Sequence, residues 1–167
     1  KASFNESFTS IDGSGRMGRG IAYSTTEPAH LLNVRAEGMS AWAGDPDQFA
    51  RRYAKEGGDP RGFAQRRFFA GYLGDLLDQA VASGHVELVE ATVASGARNG
   101  AIWKIELDDG SSIEAEALVL AVGNQEPAEL GAFQGSGSGF IGNPWGRDAQ
   151  AAVADLAASG GDALLVG

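Results

Sequence analysis

Residues 117–124 read Ala117-Leu118-Val119-Leu120-Ala121-Val122-Gly123-Asn124. The apolar stretch has no polar interruption, which suits a strand covered on both faces, as in a parallel sheet. Gly123-Asn124 then ends it in a turn. Just upstream the pattern changes. Residues 102–107 alternate, with Trp103, Ile105 and Leu107 facing one way; Asp109-Gly110 is a hairpin signal, and residues 111–116 form the return strand. Further back, His85 to Val93 reads as a strand. From Arg66 to Ser83, apolar or aromatic residues stand at 69, 72, 73, 76, 77, 80 and 81, an amphipathic helix that Gly84 can terminate. Asp45-Pro46-Asp47-Gln48 is a helix start, with Asp45 as cap and Pro46 at the first helical position; Phe49 and Tyr53 then share a face. Ser7 to Asp12 is a short strand. Beyond the apolar run, a helix from Arg147 to about Ala158 precedes a strand over Asp162 to Gly167. The order predicts an α/β fold: a parallel sheet carrying a small antiparallel insert.

The 167 residues fit one ordinary domain. With 13 Lys and Arg against 22 Asp and Glu, the net charge of -9 opposes nucleic-acid backbones and anionic membranes. No cysteine is present, which excludes disulfides, thiolate metal sites and a redox dithiol. Only His30 and His85 are available for a histidine metal centre, and Asp108-Asp109 is a turn, so no metal site is expected. No stretch approaches the ~20 apolar residues of a membrane span, and no basic-then-apolar leader opens the chain. A cytoplasmic domain without nucleic-acid or membrane partners is expected. The 25 glycines are about twice average usage. Only Gly135-Ser136-Gly137-Ser138-Gly139 resembles a flexible linker; the others punctuate apolar segments, as in a loop-rich fold around a ligand. Opening on Lys1 and closing as a strand reaches Gly167, the chain reads as a piece of a longer protein.

Asp12 closes the first strand and precedes Gly13 and Gly15. In a dinucleotide-binding unit, an acidic residue at the end of the second strand accepts hydrogen bonds from a ribose, about 20 residues beyond a glycine fingerprint. In that register the fingerprint lies before Lys1. A solvated aspartate before a glycine turn fits the same residues. The segment from Gly18 to Ser40 is a long loop with glycines, one arginine near its start and one asparagine. It can lie along an elongated ligand, the arginine near phosphate and the asparagine on polar edges, or it can be an irregular surface loop. His30 reads as a loop hydrogen-bonding residue, and Arg51-Arg52 and Arg66-Arg67 read as solvated basic pairs. Trp42, Trp103 and Trp145 are scattered and read as packing residues.

These segments resemble the FAD-NAD(P)-binding domain family of bacterial flavoproteins, itself distantly similar to flavin-containing monooxygenases and the ornithine and lysine N-hydroxylases. The resemblance rests on GRGIAYSTTEPAHLLNV at 18–34, GMS at 38–40 and DPDQFARRY at 45–53. It continues through FAQRRFFAGYL at 63–73, ALVLAVGN at 117–124 and Asn143-Pro144-Trp145. It implies a Rossmann-like fold lacking its first β-α unit, with residues 1–167 forming part of an FAD/NAD(P)-binding domain. Arg35 and Gln65 depart from the family, standing where proline is expected.

The resemblance also implies cofactors, FAD and NAD(P)H, and a set of residues around them. Asp12 would sit by the adenosine ribose. Arg19, Gly20, Asn33 and Val34 would line the flavin cleft, with Met39 and Ser40 nearby. Val93 would offer backbone groups to the adenine, and Gly123 and Asn124 would let the chain pass close to the cofactor. Arg66 matches a basic position with either a cofactor or a structural role. No catalytic side chain is expected, because redox chemistry belongs to the cofactor. The implied function is the FAD-binding part of an NAD(P)H-dependent oxidoreductase, monooxygenase-like, acting on a small molecule. Flavin disulfide reductases are excluded by the missing cysteine pair. The alternative is a nucleotide-binding or partner-docking module without turnover.

Overall fold

A computed structural model describes residues 7–123, 128, 139–144 and 146–164. The chain divides into two compact units, residues 1–123 and residues 124–167. In the first unit, β1 (Phe8–Ile11) runs parallel to β2 (Val86–Val89), with Phe8 opposite Val86 and Ile11 opposite Val89. Between them lie α1 (Gly20–Tyr23), a 3₁₀ turn at Ala36–Gly38, α2 (Gln48–Lys55) and α3 (Arg66–Ala82). After β2 comes an antiparallel sheet of β3 (Val93–Asn99), β4 (Ile102–Leu107) and β5 (Ser112–Ala115). The fold is mixed α/β, with one parallel and one antiparallel sheet.

Aromatic residues build the core between α2 and α3. Phe49 is fully buried, with Phe69 edge-on at 5.0 Å and Tyr72 tilted at 5.1 Å. Tyr53, one turn on, stacks nearly parallel to Phe49, as their i, i+4 spacing predicts. Tyr23 of α1 reaches Phe69 edge-on at 4.9 Å. Leu32, Ala36 and Ala64 close the cluster from the loops. Arg52 lies 6.0 Å from the Phe68 ring and 5.9 Å from the Tyr72 ring, and its guanidinium pairs with Asp75 of α3 at 2.5 Å. It roofs the aromatic cluster and ties α2 to α3. Basic pairs read as solvated faces therefore include a core-capping arginine.

The expected hairpin is part of a three-stranded sheet. Ile105 and Leu107 of β4 are buried and Trp103 half-buried, while Lys104 and Glu106 face out, so the alternation holds. Leu107 N–H donates to the Ser111 carbonyl across the Asp109-Gly110 turn. The additional strand, β3, joins β4 through Gly100-Ala101, pairing Asn99 with Ile102. Gly100 has φ of 63°, as the first loop position of a type II′ turn requires.

Several expectations need correction. The strand expected over His85 to Val93 ends at Val89, and Val93 opens β3, opposite Leu107. α2 starts at Gln48, three residues beyond the predicted cap: Asp45–Gln48 form a turn closed by Gln48 N–H on the Asp45 carbonyl. The Asp45 carboxylate instead pairs with Arg51. The run 117–122 forms no strand: Val119, Leu120 and Val122 are 85%, 76% and 73% exposed. An apolar run becomes a strand only beside a neighbour that takes its hydrogen bonds, and no described strand does so.

In the second unit, α4 (Arg147–Ser159) spans the expected helix, and Gly160 N–H closes it on the Leu156 carbonyl. Residues 162–164 form no strand, and Leu164 is exposed. The rest of the expected terminal strand, Leu165 to Gly167, lies outside the described residues, as do Asn124, Trp145 and most of the Gly-Ser stretch. Among the described residues, no helix is long and apolar enough to cross a membrane.

Candidate functional site

The parallel pair fixes Asp12. Its backbone N–H donates to the Val89 carbonyl at 3.1 Å, one bond past the last strand residue, so Asp12 stands at the carboxyl edge of β1 beside the end of β2. That edge is where open α/β sheets bind ligands. The next residues make a tight turn, with Ser14 N–H donating to Asp12 Oδ1 at 2.7 Å. Hydrogen bonding from the Ser14 side chain and backbone, helped by the nearby Arg16 charge, holds the Asp12 carboxyl below the usual carboxylate range. It is therefore an anion at neutral pH. A carboxylate has about four lone-pair positions, so these bonds leave capacity for sugar hydroxyls.

Gly13 brings this turn against the chain that leaves β2. A Cβ on Gly13 would lie 2.7 Å from Thr92 Oγ1 and 3.2 Å from the Ala91 carbonyl. Thr92 is held in turn by Asp108: its N–H donates to Asp108 Oδ1 at 3.2 Å, and Asp108 N–H donates to its carbonyl at 2.9 Å. The antiparallel sheet thus braces the loop beside Asp12.

The second group of residues lies along the loop between α1 and the 3₁₀ turn. Residues 30–37 run antiparallel to 60–66: Leu32 N–H donates to Ala64, Ala36 N–H to Gly62, and Glu37 N–H to Pro60. Arg66 completes the ladder from the first turn of α3. Its Nε donates to the Leu31 carbonyl at 3.0 Å, Nη1 to the Ala22 carbonyl at 3.5 Å, and Nη2 to Asn33 Oδ1 at 3.2 Å. Asn33 and Val34 are thereby set on an exposed rim. His30 is a hydrogen-bonding loop residue, sharing a 2.7 Å bond between Nδ1 and Thr25 Oγ1.

Arg19 and Gly20 open α1, which packs on α3; Gly18, just before them, faces Leu77 of α3. Among the described residues the Arg19 guanidinium has no ion-pair partner. Met39 packs on the aromatic core, and the Ser40 hydroxyl donates to the Asp45 carbonyl at 2.6 Å, so both serve the architecture of the 39–45 loop. Val93 lies in the antiparallel sheet, beside Thr92 rather than on β2. Gly123 is exposed with φ of 66°.

Asp12 offers an anionic acceptor at a sheet edge, Arg19 a cation without an ion-pair partner among the described residues, and Asn33 an exposed amide. Of the bracing groups, Gly13 and Asp108 were not read as such from the sequence, and Arg66, left there between a cofactor and a structural role, has structural contacts. Gly13 carried a signal in its place directly after Asp12; the other two act through partners distant in sequence.

Neither the curated proteins nor the solved structures contain a match to this chain. One family profile, described as FAD-NAD(P)-binding, matches residues 3–125, which takes in β1, Asp12, the 18–40 loop, both sheets and Gly123. With most of its length aligned in this way, the chain belongs to the FAD-NAD(P)-binding family.

Proposed function

We propose that the chain is the FAD-binding part of an NAD(P)H-dependent flavoprotein oxidoreductase of the monooxygenase kind, acting in the cytoplasm. The observation that carries this reading is Asp12, an ionised carboxylate at the carboxyl edge of a parallel strand pair within the family match. The bound cofactor supplies the redox chemistry, and the chain supplies binding, orientation and electrostatics. In this reading Asp12 accepts hydrogen bonds from the adenosine ribose. Arg19 faces phosphate from the start of α1, and Asn33 and Val34 face the flavin from the rim that Arg66 holds. Met39 and Ser40 act one layer back, by fixing the 39–45 loop. Val93, Gly123 and Asn124 complete the cofactor's surroundings through backbone. In this reading the sheet is Rossmann-like and lacks its first β-α unit, the one that carries the phosphate-binding glycine turn.

Visible absorbance tests the reading. Full-length protein purified and, if needed, supplemented with FAD should show bound-flavin bands and consume NADPH or NADH under air. A protein that binds FAD but oxidises neither nucleotide supports the module without turnover. A colourless protein that binds no FAD contradicts both the flavin assignment and the oxidoreductase.

A further inference from the structure

The Arg66 guanidinium is spread over three acceptors, one in α1 and two in the loop after it: the Ala22 carbonyl, the Leu31 carbonyl and Asn33 Oδ1. They lie 44, 35 and 33 residues away in sequence, so this one side chain ties the end of α1 and the 31–33 stretch to the start of α3, beside the backbone ladder between 30–37 and 60–66. Its contact with Asn33 also has a chemical polarity. A guanidinium has five N–H donors and no acceptor, so the Asn33 atom facing it must be the carbonyl oxygen. The amide cannot flip without placing its NH2 against N–H donors. The consequence is that the Asn33 NH2 is the part of the side chain left to the exposed rim.

We propose that Arg66 is a positioning residue that locks the Asn33 amide with its NH2 outward, so that the Asn33 side chain presents its hydrogen-bond donors to a carbonyl or phosphate oxygen of the bound dinucleotide. The proposal rests on the functional reading above for its ligand, but the Arg66–Asn33 bond is made within the chain itself. The basic group thereby acts on the cofactor through an amide, without spending its own charge at the ligand. Three shared bonds also make Arg66 unsuited to substitution by lysine, whose single ammonium cannot span them.

Asn33→Asp separates the two roles of the side chain: it keeps an oxygen for Arg66 and removes the NH2 donors. The unfolding midpoint of the ligand-free N33D protein should equal or exceed that of the parent, while FAD affinity, read by flavin fluorescence titration, should fall tenfold or more. Asn33→Leu removes both roles and, being uncharged, should weaken FAD binding to a similar degree. Arg66→Lys should weaken FAD binding in the parent by several-fold more than in the N33L background, because part of what Arg66 does reaches the ligand through Asn33, while its bonds to Ala22 and Leu31 are lost in both. In the ligand-free protein, the Asn33 side-chain amide signals in 15N spectra should shift in R66K.

FAD affinity unaffected by N33D overturns the donor assignment. An equal loss from R66K in both backgrounds overturns the positioning role. Should the parent bind no FAD, the functional reading fails and takes the ligand half with it. The amide spectra then decide the lock by themselves: unmoved Asn33 signals in R66K overturn it.

Discussion

Gly13 lies so close to Thr92 that a Cβ built on it would sit 2.7 Å from the threonine Oγ1. The turn that follows β1 and the segment that follows β2 are therefore pressed together at the carboxyl edge of the parallel pair. Asp12 stands immediately before this contact, and Asp108 holds Thr92 from the far side through two hydrogen bonds. The carboxylate is thus carried on a turn supported by both sheets rather than on a free loop.

Gly13→Ala tests that contact. The backbone at Gly13 is not in the left-handed region, so the cost comes from crowding alone. The Ala91 carbonyl, 3.2 Å from the new methyl, must also give way. The variant should lose about 1–3 kcal/mol of stability, the usual range for overpacking, and show it as a lower urea midpoint. Adding Thr92→Ala removes the nearest atom and should restore part of the loss. A G13A protein as stable as the parent would show that the two loops are not packed as described.

The acid limb of Asp12 has a definite sign. Its folded pKa lies below the ordinary 3.8, chiefly through the Ser14 side chain. The stabilisation linked to its ionisation is therefore complete above 3.8 and disappears as pH falls through the lower folded value. Carboxyl 13C titration should place the Asp12 midpoint below 3.8. Ser14→Ala should raise it toward 3.8, the backbone bond and Arg16 still holding part of the shift. A parent midpoint at or above 3.8 would contradict this geometry.

The aromatic core predicts a graded pair of losses. Phe49 is fully buried among Tyr53, Phe68, Phe69 and Tyr72, so Phe49→Ala should cost about 3–5 kcal/mol. Tyr72→Phe keeps the ring but removes a hydroxyl that donates to Gln48 Oε1 at 2.6 Å and accepts from Ala41 N–H at 3.1 Å. Its cost should be smaller, about 1–3 kcal/mol, and centred on the 39–45 loop. Urea denaturation measures both, and amide exchange at Ala41 locates the second. Equal losses would contradict a core centred on Phe49.

What the sequence made legible was local and periodic. α3 followed from its apolar spacing, and β4 and β5 from alternation around Asp109-Gly110. β3 was missed because Val93–Asn99 has no alternation and all seven residues are exposed; its one signal was Asn99-Gly100 at the turn. The 117–122 run has the composition of a buried strand, but pairing depends on a neighbour that local sequence does not encode. Asp45 looked like a helix cap, and tertiary structure gave its carboxylate to Arg51. Asp12 was legible as a residue at the end of a strand, whereas the Gly13–Thr92 contact and the Arg66 clamp arise only when distant segments meet.

The most direct test of the account is an equilibrium FAD titration of the full-length protein and its Asp12→Ala variant, alongside their urea midpoints. If Asp12 grips the ribose from the sheet edge, the parent binds FAD and D12A loses at least tenfold in affinity, since a hydrogen bond to a charged group contributes about 1.5–3 kcal/mol. The urea midpoint of D12A should fall modestly, because the Ser14 bond goes with the carboxylate, so the affinities are compared in the absence of urea, where both proteins are folded. A D12A protein that binds FAD as tightly as the parent would contradict the central claim.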